Sequence, residues 1–206
     1  MRFIEQSYEF ITPLDRNAIL KRIEECGRVC YKSEEKITED SSVAFVKNLV
    51  GRGHEAMIEH VNLTIKFITD RGVTHEIVRH RVASYAQEST RYCNYGKDKF
   101  GGELTFIMPV GVGTYVTNEI ELMCGGLECS YLDMIDKGIQ PEIARSILPN
   151  CLKTEIIMTA NLREWRHFLK LRTAPSAHPQ MRALTRPLLA EFKQVLPEIF
   201  GDIKGE

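Results

Sequence analysis

Residues 79–92 read RHRVASYAQESTRY, the most distinctive segment of the chain. It begins with a histidine between two arginines, and Ser89 follows after a further seven residues. An arginine side chain is a planar, fork-shaped donor that suits a phosphate or a pyrimidine carbonyl. Ser89, Arg91 and the N–H groups of a loop would together form a phosphate cradle. On the residues alone, an exposed basic helix end that makes salt bridges is the other interpretation.

Charge is spread unevenly along this chain of 206 residues, although its formal net charge is only −1. Lys and Arg outnumber Asp and Glu by six to three between Arg71 and Lys99, and by six to one between Asn161 and Arg186. A near-neutral protein has no global field that would draw it onto nucleic acid or a membrane. Its two basic segments indicate either a confined anionic ligand or two solvated helix faces.

Spacing excludes several common sites. The six cysteines include no CxxC pair, which is the basic unit of zinc-ribbon and thioredoxin sites. Arg79 stands where an HExxH motif beginning at His75 would need its second histidine, and we predict no metal site. No Walker loop occurs, and Val116 replaces the third glycine of a dinucleotide loop beginning at Gly111. A nucleotide site must therefore be built from side chains.

The chain carries no sign of export or membrane insertion. Arg2 and Glu5 interrupt any signal-like apolar stretch after Met1, and no apolar run approaches the length needed to span a bilayer. We therefore expect a cytoplasmic protein with reduced thiols and no membrane partner.

Hydrophobic periodicity predicts an α/β fold (mixed α+β) in one domain, residues 1–206, with helices around a small, mostly antiparallel sheet. The predicted helices are 12–31, 41–50, 72–83, 114–137, 141–145, 162–172 and 179–195. The predicted strands are 3–8, 61–68, 104–108 and 153–159, and residues 84–103 are predicted to be a long functional loop. The predicted core includes Cys26 and Cys30 on the first helix, and Trp165, Phe168, Leu169 and Leu171 on the sixth.

The stretch from 79 to 92 resembles the signature of the flavin-dependent thymidylate synthases, in which Arg-His-Arg is followed by seven residues and a serine. The resemblance extends to most of the chain, from about Arg28 to Arg182. Residues 53–60, GHEAMIEH, look like the family's flavin-binding segment G-H-x-[ST]-x-x-E-H. Ala56 departs from it, because a hydroxyl residue is usual there.

Three further segments carry the resemblance. Residues 144–149, ARSILP, look like the family's A-R-x-x-L-P, whose arginine reaches the dUMP phosphate. Residues 161–172, NLREWRHFLKLR, look like N-x-R-x-[LW]-x-[NH]-F-[LI]-x-L-R. Residues 177–182 resemble a later stretch, A-[HQ]-x-Q-x-R. Glu76 and Gln87 are swaps at positions where some members carry Gln and Glu, and a carboxylate at 76 cannot donate a hydrogen bond.

The resemblance implies a role for each matched residue. The residues implied to bind flavin are His54, Glu59, Arg79, His80, Arg81, Gln87, Asn161, Arg163, His167 and His178. The residues implied to bind dUMP are Glu76, Arg79, Gln87, Glu88, Ser89, Thr90, Arg91, Arg145 and Arg172. Arg172 is the implied catalytic residue, since the family's arginine at this place lies against the uracil and stabilises negative charge on it.

The implied activity is the reductive methylation of dUMP to dTMP. 5,10-Methylenetetrahydrofolate supplies the carbon, and NADPH reduces the FAD that delivers the hydride. Cys93, in the context Tyr-Cys-Asn, is interpreted as a bystander and not as a nucleophile. The resemblance also implies a homotetramer whose active sites are built from several subunits.

Two other functions remain open on the sequence. A non-catalytic flavin- or nucleotide-binding protein on the same scaffold would explain the departures at Ala56 and Glu76. A nucleic-acid-binding module would use the basic segments together with Tyr85, Tyr92 and Tyr95 as stacking faces. The near-zero net charge argues against the second, and we predict no nucleic-acid partner.

Overall fold

The computed structural model describes residues 1–205, apart from the side chain of Asp98. The strands are β1 (Arg2–Ile4), β2 (Ser7–Phe10), β3 (Asn62–Asp70), β4 (Ala83–Gln87), β5 (Thr105–Ile107) and β6 (Lys153–Asn161). The helices are α1 (Arg16–Val29), α2 (Ser41–Gly51), α3 (Arg71–Ile77), α4 (Thr114–Asp136), α5 (Pro141–Ala144), α6 (Leu162–Arg172), α7 (Pro179–Val195) and α8 (Pro197–Phe200). Short 3₁₀ segments occupy Glu34–Lys36, Glu55–His60, Asp98–Phe100 and Arg145–Ile147.

Four strands form the larger sheet, in the order β2-β3-β6-β4. The N–H of Ile11, just after β2, donates to the carbonyl of Thr64, whereas Gln6, just before β2, accepts from the side chain of Thr69. The two strands therefore run antiparallel. Alternate residues of β3 and β6 are buried, as expected for strands with one face on a core. The predicted mixed α/β fold with a small antiparallel sheet is confirmed, and β1 and β5 add a separate parallel pair.

The chain divides into two compact units, each made of three separate segments. The first comprises Met1–Ser7, Phe67–Arg79 and Ala86–Ile157, and the second comprises Tyr8–Lys66, His80–Tyr85 and Met158–Glu206. In the first unit, Phe106, Tyr131 and Leu152 are among the buried residues of the core. In the second, Trp165 and Phe168 pack edge to face with ring centroids 5.5 Å apart.

The first helix begins later than predicted. The carboxylate of Asp15 accepts from the N–H of Ala18 at 3.1 Å and caps α1, so the prediction of a start at Thr12 is wrong. Gly27 is buried on the predicted face, but Cys26 is only half-buried. Cys30 is exposed, because it follows the last residue of the helix. Its prediction as a core residue is therefore wrong.

The segment after β3 differs most from the prediction. α3 ends at Ile77 instead of continuing to residue 83. Residues 83–87, placed in a helix end and a loop by the sequence, form β4 beside β6. The N–H of Glu88 donates to the carbonyl of Glu155 at 2.9 Å, so a distant strand determines the conformation of this polar segment.

The other predicted helices agree closely with their predicted ranges, and α8 has no predicted counterpart. α4 runs unbroken through Gly125 and Gly126, and α6 and α7 have the predicted bounds. On α6, Trp165, Phe168 and Leu169 are buried as predicted, but Leu171 is half exposed and its core prediction is wrong. Within residues 1–205, none of the helices combines the length and apolarity required to cross a bilayer.

Candidate active site

Asn161 joins β6 to α6 and positions the side chains that follow. Its side-chain oxygen accepts from the N–H of Glu164 at 2.9 Å and caps the helix. The cap fixes where α6 begins, and so it sets the positions of Arg163, Glu164 and His167 in the first two turns. A carboxylate in the first turn is also favoured by the partial positive charge at a helix N-terminus.

His80 is buried between two charged side chains of α6. Its Nδ1 lies 3.1 Å from Oε1 of Glu164, and its Nε2 lies 3.0 Å from Nε of Arg172. The arginine Nε–H is always a donor, so Nε2 of His80 must accept. The ring proton is therefore on Nδ1, which donates to Glu164. The three side chains form one hydrogen-bonded chain, from guanidinium through imidazole to carboxylate.

The surroundings keep His80 uncharged. Burial lowers the pKa of His80 to about 4, and electrostatic interactions with Arg172 and His167 contribute to the shift. Burial raises the pKa of Glu164, although His167 opposes this shift. The hydroxyl of Tyr85 donates to the backbone carbonyl of His80 and anchors the turn that carries it.

A cavity of about 490 Å³ lies in the second unit, and Glu164 of the hydrogen-bonded triad is one of its lining residues. Its lining residues are Glu55, Glu59, Val82, Asn161, Arg163, Glu164, Arg166, His167 and Lys170. Nη1 of Arg163 lies 2.6 Å from Glu59, and buried Arg166 donates to Glu55 at 3.0 Å. The cavity therefore offers cations whose carboxylate partners are already in place, together with an amide and an imidazole.

A second, more apolar cavity of about 400 Å³ shares Glu55 and Arg163 with the first. Its other lining residues are Gly27, Cys30, Tyr31, Phe45, Leu49, Gly53, His54, Ala56 and Met57. The structure thus brings five of the predicted flavin residues to two neighbouring cavities of one unit: His54, Glu59, Asn161, Arg163 and His167. Ala56, where the resemblance expects a hydroxyl, lines the apolar cavity.

The predicted dUMP residues of the signature's second half gather in the first unit. Nε2 of Gln87 donates to the hydroxyl of Thr74 at 2.9 Å. Glu88 accepts from the hydroxyl of Tyr95 at 2.7 Å and from Lys153 at 3.1 Å. As an acceptor, Glu88 suits a hydroxyl and not a phosphate.

Two arginines of this cluster carry the positive charge. Arg145 donates to the hydroxyl of Thr90 at 3.3 Å, and Nε of Arg91 pairs with Glu142 at 2.9 Å. The hydroxyl of Ser89 accepts from the N–H of Arg91 at 3.3 Å. The loop is thus held partly by its own serine and partly by Glu142 of α5 and Arg145, and both arginines are exposed.

The remaining predicted residues are Glu76, Arg79, Arg81 and His178. Arg79 and Arg81 are exposed and belong to different units. Glu76 is half-buried on α3 in the first unit. His178 caps α7, where its Nδ1 accepts from the N–H of Gln180 at 3.2 Å, and its predicted flavin contact stays a prediction.

The geometry disfavours two alternative kinds of chemistry, metal binding at His80 and nucleophilic attack by Cys93. Ligand atoms of His80, Glu164 and His167 lie within 4.8 Å of one another, a spacing that a metal ion could use. The Nε–H of Arg172 already occupies Nε2 of His80 and brings a permanent positive charge, which disfavours a cation there. In the first unit, burial and the charge of Glu88 raise the pKa of Cys93, which favours its unreactive thiol form.

Glu164 and Arg166 are among the residues of the first cavity that the sequence did not single out, together with Glu55, Val82 and Lys170. Glu164 stands three residues after Asn161, which is the spacing between a helix N-cap and the third residue of the helix. Its place in the first turn could therefore be predicted from the sequence. Its pairing with His80 could not, because the two residues are 84 positions apart.

Residues 14–198 match the protein family described as thymidylate synthase complementing protein. A flavin-dependent thymidylate synthase from Geobacter sulfurreducens is 35% identical over 186 residues, which cover 85% of this chain and 78% of the relative. Another, from Pyrococcus furiosus, is 33% identical over 169 residues, which cover 81% of this chain and 68% of the relative.

The fold is similar to that of a crystal structure described as a UMP/dUMP methylase, PolB, from Streptomyces cacaoi bound with 5-Br dUMP. The TM-score is 0.79 at 21% sequence identity, and the match covers 98% of this chain and 96% of that one. At this identity the likeness establishes the fold.

Proposed function

The chain belongs to the flavin-dependent thymidylate synthase family, and we propose that it is a methyltransferase that converts dUMP to dTMP. The carbon comes from 5,10-methylenetetrahydrofolate and the reducing equivalents from NADPH, with FAD between them. The observation that carries the proposal is the pair of cavities that share Glu55 and Arg163, because the residues matched to the family's flavin segments line them.

The residues of these cavities fit a flavin dinucleotide. The apolar cavity, with Phe45, Leu49 and Tyr31, suits one flat ring system, and the polar cavity, with Asn161, Arg163 and His167, suits polar edges and an anionic linker. When bound there, FAD would supply the hydride-transfer chemistry that links NADPH to the carbon being transferred. The protein's own part is to hold the partners in place and exclude water.

Arg172 supplies the electrostatic part of the reaction. Uracil C5 becomes nucleophilic when negative charge on the ring is stabilised, and a fixed guanidinium is a preorganised source of that stabilisation. Its Nε is engaged by a neutral His80, so its charge is not cancelled at that atom. We assign Arg172 as the catalytic residue that contacts the pyrimidine.

The first-unit cluster is proposed to hold the nucleotide. Arg91 and Arg145 supply charge for the phosphate, and Glu88 accepts from a sugar hydroxyl. Gln87, Ser89 and Thr90 complete the cradle, and Glu76 and Arg79 are assigned to the same substrate. The Streptomyces methylase has 5-Br dUMP bound, which supports a uracil nucleotide as the substrate here.

We also propose that residues 1–206 act as one catalytic domain and assemble as a homotetramer in the cytoplasm. Apolar side chains on α4 support the assembly, since Tyr115, Leu122 and Met123 are 76%, 70% and 61% exposed. Within residues 1–205 the cysteines are all free thiols, which supports a reducing compartment. Arg81, Gln87 and His178 are assigned to flavin binding, together with Arg79 and His80.

The test is the release of tritium from dUMP labelled at C5, in the presence of methylenetetrahydrofolate, with and without FAD and NADPH. We expect release that requires both. Folded, flavin-loaded protein that releases none would contradict the proposal and favour a binding-only role, with Ala56→Ser and Glu76→Gln as the first reversions to make.

A further inference from the structure

We infer that Glu164 is a positioning residue that acts on Arg172 through His80. This inference rests on the proposed function for its catalytic consequence, but its structural content, the location of one proton on His80, can be measured independently. Glu164 fixes the proton on Nδ1, and the opposite ring nitrogen is thereby left as the acceptor that orients the guanidinium.

The hydrogen-bonding capacity of each side chain limits how Arg172, His80 and Glu164 can pair. Arginine offers only donors, so its Nε needs an acceptor opposite it. A neutral imidazole has one donor nitrogen and one acceptor nitrogen, and either can carry the proton. The carboxylate of Glu164, 3.1 Å from Nδ1, stabilises the tautomer with the proton on that atom. Without this carboxylate, the tautomer with the proton on Nε2 would set two donors against each other at Arg172.

Burial makes this constraint effective. His80 is 4% exposed, so water is poorly placed to replace either hydrogen bond. The ring of Phe168 contacts the imidazole edge to face, with centroids 4.9 Å apart, and restricts its rotation. The titratable groups around the ring are Glu164, His167 and Arg172 of α6 and Tyr85 of β4.

Helix geometry explains why one ring can serve both residues. Glu164 and Arg172 are eight positions apart on α6, with Phe168 midway, so the three lie along one face of the helix. Long side chains on a helix lean toward its N-terminus, which brings the guanidinium of Arg172 back toward Glu164. The imidazole fills the space that remains between the two charges.

The arrangement also explains why an uncharged imidazole at position 80 is useful. A direct Arg172–Glu164 ion pair would place a carboxylate against the guanidinium and offset its charge. The imidazole transmits the orientation while it separates the two charges. This is a reason for a histidine at position 80 that is independent of any contact between His80 and the cofactor.

The test uses the full-length protein with FAD added and compares Glu164→Leu with Glu164→Gln. Leucine removes the acceptor, whereas glutamine keeps an oxygen that can accept from Nδ1. We expect Glu164→Leu to lower kcat for tritium release by about 10- to 100-fold, the usual loss when an orienting partner is removed, with little change in the KM for dUMP. Glu164→Gln should retain most of kcat. The matched control is Glu24→Gln, which alters a buried glutamate that accepts from Arg28 and Ser41.

The tautomer is read by ¹⁵N NMR of protein labelled only at histidine, and the His80 signal is assigned by its loss in His80→Gln. The expected result is a neutral ring protonated on Nδ1 in the wild type and in Glu164→Gln, and an altered tautomer in Glu164→Leu. A wild-type ring protonated on Nε2 would overturn the inference even if no Glu164 variant folds. Full kcat in Glu164→Leu would also overturn it. If the wild type has the Nδ1 tautomer but releases no tritium, the proposed function fails and the structural assignment stands.

Discussion

Nε of Arg172 lies 3.0 Å from Nε2 of His80, a contact in which the arginine can only donate and the histidine can only accept. A cation that is proposed to act on the substrate is thus oriented by a ring that carries no charge of its own. This relationship determines what substitutions at either residue should do.

Replacing Arg172 should abolish most turnover and leave flavin binding intact. Arg172→Ala removes the charge, and we expect kcat for tritium release to fall roughly 100-fold or more, the range for loss of a preorganised electrostatic donor. Arg172→Lys should recover little, because an ammonium cannot reproduce a planar donor held at Nε. Arg186→Ala, at an exposed arginine of α7, is the control. Turnover near the wild-type rate in Arg172→Ala would show that another group activates the pyrimidine.

His80 should make the protein less stable in mild acid. A histidine in the unfolded chain gains a proton near pH 6.5, whereas the pKa of folded His80 is about 4. Between these values the unfolded state binds more protons, so the free energy of unfolding decreases as pH falls from about 6.5 to 4, and His80 has no such effect above that window.

The magnitude can be measured by urea unfolding at about pH 7.5 and pH 5. The His80 contribution to the loss of stability between them is about 2 kcal/mol. His80→Gln keeps a donor and an acceptor but does not titrate, so its loss should be smaller by that amount. His75→Gln, at an exposed histidine of α3, should match the wild type. Equal losses in the wild type and His80→Gln would mean that the buried ring is not neutral.

Arg145 should matter for nucleotide binding and not for flavin binding. Its guanidinium donates to Thr90 at 3.3 Å in the first unit, next to the other predicted phosphate donors. Arg145→Ala should raise the KM for dUMP about 10-fold, the effect of losing one charge-assisted hydrogen bond. Lys137→Ala is the control, because Lys137 pairs with Asp133 on an exposed helix end. An unchanged KM would remove Arg145 from the phosphate site.

Ala56 gives a way to test which cavity takes the flavin. It lines the apolar cavity beside His54, at the position where the family usually has a hydroxyl. Ala56→Thr should tighten FAD binding about fivefold, in line with one added hydrogen bond, as measured by flavin fluorescence titration. Ala56→Val adds a side chain of the same shape without the hydroxyl and should not tighten binding. Equal affinities for the two variants would mean that the hydroxyl meets no flavin atom.

Asp202 should contribute to stability far more than an ordinary surface carboxylate. It accepts two hydrogen bonds from Arg166, at 2.7 and 2.8 Å, and Arg166 is 2% exposed. Asp202→Ala leaves a buried guanidinium short of partners and should lower the free energy of unfolding by about 2–3 kcal/mol. Asp133→Ala breaks an exposed ion pair and should cost less than about 0.5 kcal/mol. A loss as small as that of Asp133→Ala would indicate that Glu55 and the backbone carbonyl of Ile199 suffice as partners for Arg166.

Local signals explain which elements the sequence could predict. α6 and α7 were predictable because a capping residue stands before each of them and a proline lies at N1 of α7. β4 was not, because its residues are polar and its strand character comes from pairing with β6 about 70 residues later. The site divides in the same way: the sequence singled out Arg163, His167 and Arg172 of α6, but not Glu164, because its pairing with His80 is a contact that no short-range pattern contains.

Because side chains alternate between the two faces of β4, the number of residues in the signature determines which face Gln87 occupies. His80 and Gln87 are separated by a turn and a strand in which inward and outward side chains alternate. Deleting one residue between them would rotate Gln87 to the opposite face and away from Thr74. The number of residues between Arg81 and Ser89 is therefore constrained more than their identity. Substitutions at these seven positions should be tolerated during evolution more readily than insertions or deletions.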